Sequence, residues 1–170
     1  MTDFKSIIII FLASLFCPDS SAQKQDAIWL MGNMAGIDFR VNPPVPILNT
    51  KQMTVDITDA SIADKSGNLL FYTNGLKAAN RLHDIMANGD GLSPGYYTSL
   101  YIDGMPNIQG AVIIPFPSDS ERYYLFHVNL DYLISGSNHL IPGKLFYSVI
   151  DMRLDKGLGN VTSEKILCCW

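Results

Sequence analysis

The chain reads as an all-β protein of short antiparallel strands, and three observations carry that reading. The stretch Ser61-Ile62-Ala63-Asp64-Lys65-Ser66-Gly67-Asn68-Leu69-Leu70-Phe71-Tyr72-Thr73-Asn74-Gly75 has the form of a β-hairpin. An apolar run enters, Gly67-Asn68 supplies the positive φ of a tight reversal, and a β-branched and aromatic run returns to Asn74-Gly75. The second observation is the continuous apolar run Ala111-Val112-Ile113-Ile114 between Gly110 and Pro115, which suits a strand buried on both faces. The third is repetition: Ile62 answers to Ile114, and Leu70-Phe71-Tyr72 to Leu125-Phe126-His127, roughly 50 residues apart.

In chain order, residues 27–31 predict a short strand and 37–39 a second one after the Gly32-Asn33 and Ala35-Gly36 breaks. Residues 42–49 hold Pro43, Pro44 and Pro46, which deny ladder donors, so this stretch predicts an extended, exposed connector. Val55 and Ile57 alternate with Thr54 and Asp56 as in a strand, and the hairpin follows. Residues 76–82 are read as a third strand in preference to a helical turn, because turns crowd both sides. A long loop covers 88–95, and 96–102 predicts weak pairing at an edge. After the 109–115 strand, a turn at 117–121 leads to its partner at 123–128. A polar loop over 130–142, a strand at 145–152, a turn at 157–160 and a last strand beginning at Lys165-Ile166-Leu167 complete the sequence.

Strand, turn and strand at this period predict about two four-stranded antiparallel blades of an incomplete β-propeller, in units 54–103 and 109–170. A blade buries its faces only against neighbours, so two do not close a ring. Turn spacing alone fits a small β-sandwich as well.

The chain has 170 residues, enough for one domain with a real core. Its net charge is −4 and its 12 basic residues are scattered, which excludes the clustered cations that nucleic acid or anionic lipid requires. Residues 1–22 have the layout of a secretory signal peptide: Lys5, an apolar core over 7–17, and Ser20 and Ala22 placed for cleavage before Gln23. The core falls well short of the roughly 20 residues of a membrane span. A lipoprotein signal would use Cys17, but Phe16 stands where a small residue is required. Residues 23–170 therefore form the expected mature chain, with no transmembrane span. Cys17, Cys168 and Cys169 give neither a disulfide framework nor a metal spacing.

Several stretches resemble one group of proteins: Trp29-Leu30-Met31-Gly32-Asn33-Met34-Ala35-Gly36-Ile37-Asp38-Phe39, the hairpin from Ala60 to Gly75, and His83-Asp84-Ile85-Met86-Ala87-Asn88-Gly89-Asp90-Gly91-Leu92. Phe146-Tyr147-Ser148-Val149-Ile150-Asp151-Met152 and Gly157-Leu158-Gly159-Asn160-Val161-Thr162 belong to the same likeness. They are similar to the N-terminal region of the secreted β-propeller-like proteins of Bacteroidetes. Those proteins often carry PKD domains and end in a type IX secretion sorting domain. Where that group has Val-Trp-Asn this chain has Ala78-Ala79-Asn80, so an aromatic packing residue is missing. No sorting domain follows Trp170, and the ending Cys168-Cys169-Trp170 reads as that of a truncated copy. The resemblance implies a secreted or cell-surface binding or adhesion module whose ligand is a carbohydrate or a protein. It implies no reaction, no cofactor and no catalytic residue.

The residues taken alone give few candidates for chemistry. Gly91-Leu92-Ser93-Pro94-Gly95 matches the G-x-S-x-G of a hydrolase elbow, but no strand leads in, Pro94 follows the serine and Tyr96-Tyr97-Thr98 starts a helix poorly, so a loop is expected. His83, His127 and His139 do not converge by spacing, and a half-buried or surface position is expected for each. Asp64-Lys65-Ser66-Gly67-Asn68 lacks the bidentate Glu of a calcium loop and reads as turn chemistry. Asp84, Asp103, Asp131 and Asp151 offer carboxylates for a glycosidase, with nothing in spacing to select a pair. Phe71, Tyr72, Tyr123, Tyr124, Phe126, Phe146 and Tyr147 alternate, so about half should face a core and the rest supply stacking surface. The remaining alternative is one part of a secreted propeller-type hydrolase or lyase acting on polysaccharide.

Overall fold

The computed structural model describes residues 24–33, 35–48, 53–55, 57–132 and 140–169. They form an all-β structure in three antiparallel sheets, each joined strand to sequential strand. The first sheet contains β1 (Ile28–Met31), β2 (Ala35–Asp38) and β3 (Val45–Leu48). The second contains β4 (Ala60–Ala63), β5 (Leu69–Thr73) and β6 (Ala78–Asn80). The third is four-stranded, in the order β10-β9-β8-β7, with β7 at Ala111–Pro115, β8 at Arg122–Tyr132, β9 at Leu140–Asp151 and β10 at Asn160–Cys169.

The hairpin expected around Gly67 forms as β4 and β5, with Ile62 opposite Phe71. Gly67 takes φ +92°, and the Asp64 carboxylate accepts from the backbone N–H groups of Ser66 (2.7 Å) and Asn68 (2.9 Å). Burial raises the Asp64 pKa, but these N–H groups and the Asn68 amide outweigh it and leave the acid below its usual range. The carboxylate is thus engaged in turn chemistry. Ala63 pairs with Leu69 after Ile62 has paired with Phe71, which leaves Leu70 as the extra residue of a β-bulge. The bulge puts Leu70 on the same side as Phe71, and Leu69 on the side of Tyr72.

That phase change gives the second sheet two apolar faces. Ile62, Leu70, Phe71 and Ala78 pack toward the third sheet with Tyr123, Leu125, Ile150 and Val161. Tyr72, Ala79 and Leu69 pack toward the first sheet with Ile28, Leu30 and Ile47. Phe71 meets Tyr123 edge-on at 5.6 Å between centroids. The first strands of the three sheets are neighbours: β1 lies beside β4, where the Ser61 hydroxyl donates to the Ile28 carbonyl at 2.8 Å, and β4 lies beside β7. The molecule is a stack of three sheets, with the middle one covered on both sides.

Five expectations are corrected. The 42–49 connector contains β3, because an edge strand tolerates Pro46 while Val45 to Leu48 pair with β2. The unit expected at 54–103 builds three strands, not four: Ile85 makes only an isolated bridge to Ala79, Val55 only one to Gly32, and 96–102 holds a 3-10 turn at Thr98–Leu100. The 109–115 strand is not buried on both faces. As β7 it forms the edge of its sheet, with Val112 50% and Ile114 46% exposed. The polar loop expected over 130–142 is shorter, since β8 runs to Tyr132 and β9 begins at Leu140; residues 133–139 lie outside the described residues, as do the leader and His139. The last strand begins at Asn160, ahead of Lys165.

Candidate binding loop and the buried serine–histidine pair

After β6 the chain makes no further strand before β7; it loops across the end of the stack and is tied down at each step. The Leu92 N–H donates to the Leu76 carbonyl at 2.9 Å, the Asn129 amide donates to the Pro94 carbonyl at 3.2 Å, and the Leu130 N–H donates to the Thr98 hydroxyl at 3.2 Å. Leu76, Met105 and Leu130 form a small apolar cluster beneath, with Tyr97 and Tyr101 packed on it. Gly75, at φ +83°, lies where a Cβ would stand 2.9 Å from both Met105 and Thr58, so the turn before β6 accepts no side chain.

Ser93 is the deepest tie. Its Oγ lies 2.6 Å from His127 Nδ1 and 3.1 Å from the Gly75 carbonyl, to which the hydroxyl donates. His127 Nε2 lies 3.0 Å from the Ser148 hydroxyl, and the ring stacks on Phe146 at 5.5 Å with planes 6° apart. Ser93, His127 and Ser148 are each wholly buried. Burial alone lowers the histidine pKa to about 4, so the ring is neutral at physiological pH. Ser93 also holds φ +58°, a conformation that costs a non-glycine residue free energy and persists where surrounding contacts enforce it.

This corrects the expectation for His127, which points into the space between the second and third sheets and not to the surface. The serine of the G-x-S-x-G stretch does sit in a loop, as expected, yet it meets a histidine that spacing did not select. The arrangement departs from a catalytic triad in two ways: the third member is a serine hydroxyl, not a carboxylate, and the serine oxygen is out of reach of solvent. Its chemical capacity is to satisfy buried polar atoms and fix the loop above them.

What the pinned loop presents is apolar. Leu76, Leu92, Pro94, Thr98, Tyr101 and Ile102 help to line a pocket of about 350 Å³, with Lys77 and Asp90 paired at 3.6 Å on its wall. Tyr96, Leu100, Ile102 and Ile108 stand 62–87% exposed along the same loop.

The other candidates lie elsewhere. Asp84 and Asp103 come to one cavity of about 260 Å³ together with His83 and Lys77. His83 Nδ1 lies 3.3 Å from the Tyr72 hydroxyl, whose pKa rises to about 12 through burial and, second, the Asp84 charge. Asp151 is held by Arg153, and Asp131 is exposed on β8. Phe71, Tyr72, Tyr123 and Phe146 face the core, whereas Tyr124, Phe126 and Tyr147 lie outside the buried set. Among the described residues no three His, Cys, Asp or Glu side chains converge as metal ligands, and no helix is long and apolar enough to cross a membrane. Compared with family models, curated proteins and solved structures, the chain matches none.

Proposed function

We propose that this chain is a propeller-type binding or adhesion module that acts outside the cell and performs no catalysis of its own. The observation that carries this reading is the sorting of side chains around one loop: the serine–histidine pair is sealed beneath it, Tyr101 and Ile102 line its pocket, and Tyr96 and Leu100 stand exposed along it. Large amphipathic and aliphatic side chains held on a rigid support suit recognition of a carbohydrate face or a protein segment. The layout supports blades over a two-layer sandwich, because the middle sheet has neighbours on both faces and the first strands lie side by side. Export through the 1–22 leader belongs to the same proposal.

Glycan and peptide arrays probed with the purified protein test the binding role. The expected result is retention of a ligand class that is lost on Tyr101→Ala with Ile102→Ala; retention unchanged in that variant contradicts the site. A second reading, a serine hydrolase of polysaccharide esters, is favoured by the 2.6 Å contact between Ser93 and His127. A fluorophosphonate probe separates the two. We expect Ser93 to remain unlabelled in the folded protein, and labelling abolished by Ser93→Ala would establish the hydrolase.

A further inference from the structure

The stack has a direction. The first strand of each sheet turns aliphatic side chains toward the sheet that follows: Ile28 and Leu30 of β1 face the second sheet, and Ile62 of β4 faces the third. Val112 and Ile114 of β7 are the same kind of residue in the same kind of strand, and they point away from the second sheet, 50% and 46% exposed. Opposite them in register stand Phe126 and Tyr124, as Phe71 stands opposite Ile62. Tyr124 in turn meets Tyr147 at 5.7 Å and stacks at 4.6 Å on Phe116, over whose ring the Arg122 guanidinium also lies. The outer face of the third sheet thus repeats the face that the second sheet buries. At the opposite end, the first sheet presents Trp29, 50% exposed, against Phe39, 42% exposed, at 5.0 Å. That is the receiving side of the stack, the side on which the second sheet carries Tyr72.

From this geometry, and resting on the blade reading above, we infer that the two end faces belong together. The first sheet of a second copy docks on the third sheet of the first, and the reciprocal contact closes a head-to-tail dimer. Apolar end faces of this kind mark association surfaces. The joint is heterologous, a forward face meeting a receiving face, so it continues the order already used twice within the chain.

Light scattering and sedimentation of the purified protein test this. The expected species is a dimer. Trp29→Asp alone and Tyr124→Asp with Phe126→Asp alone should each give monomers, because each removes one partner from both joints. Mixing the two variants should restore a dimer through the one joint left intact, which a symmetric face-to-face contact does not allow. Val112→Lys with Ile114→Lys, at positions already half exposed, serves as a second disruption of the forward face. A monomeric unmodified protein overturns the inference, as does a dimer that persists in the variants or fails to form on mixing. Thermal unfolding followed by circular dichroism runs alongside: a monomer that melts cooperatively defeats the docking and leaves the three-sheet stack standing, whereas loss of cooperativity in the unmodified protein counts against the stack itself.

Discussion

Ser93 shows how much one residue of this chain depends on its surroundings. Its hydroxyl is shared between the Gly75 carbonyl and His127, and the positive φ places it there. Replacing it with alanine leaves a buried imidazole nitrogen with its partner removed, a loss of about 1–3 kcal/mol. Urea unfolding of Ser93→Ala should show that deficit, while Ser99→Ala on the exposed side of the loop should stay within about 0.5 kcal/mol of the parent. His127 sets a pH dependence of definite sign. Its pKa falls from 6.5 when unfolded to about 4 when folded, so the unfolded chain binds more protons between those values. Stability from this group is complete above pH ~6.5 and declines as pH falls toward ~4, by up to about 3 kcal/mol at 1.36 kcal/mol per unit. The carboxylates held low by Arg partners, such as Asp151 beside Arg153, add their loss at lower pH, below the ordinary carboxylate range. Unfolding midpoints measured from pH 7 to pH 4 should therefore fall in the parent and stay nearly level in His127→Phe. Spacing could not have found this pair: Ser93 and His127 are 34 residues apart, one in a loop and one in a strand, and only the stacking of two sheets brings them together.

At the scale of elements, what was legible in the sequence was what short-range chemistry determines. The β4–β5 hairpin follows from Asp64, Gly67 and Asn68, all within one turn, and the turn forms with the bonds those residues prescribe. Asp64→Ala removes the acceptor of two backbone N–H groups and should destabilise the protein by about 1–2 kcal/mol, read from its melting temperature. What was not legible depends on the neighbour an element meets. The run from Ala111 to Ile114 is equally apolar on both sides, and nothing local says that one side is left open; β7 ends up at an edge. Pro46 argues against a strand only where a donor is needed, and β3 has β2 on one side alone. The bulge at Leu70, which gives the second sheet its two faces, is visible only in the pairing with β4. Of the candidate loop, 88–95 was legible as irregular but 96–102 read as an edge strand, and the anchoring comes from Leu76, Asn129 and Leu130, far away in sequence.

For the whole molecule, the order of the layers decides the rest: the second sheet lies between the first and the third, with Phe71 turned one way and Tyr72, its immediate neighbour, the other. The repeated hairpin plan pointed to serial units, and the structure packs them one on the next instead of folding all strands into two facing layers. The candidate loop, the buried Ser93 and the two apolar end faces all follow from that order. Nuclear Overhauser contacts between aromatic and methyl protons test it most directly. Contacts are expected from the Phe71 ring to Tyr123 and Leu125 and from the Tyr72 ring to Leu30, with none between Leu30 and Leu125. Direct contacts between Leu30 and Leu125, or a Phe71 ring that meets the first sheet, would overturn that order.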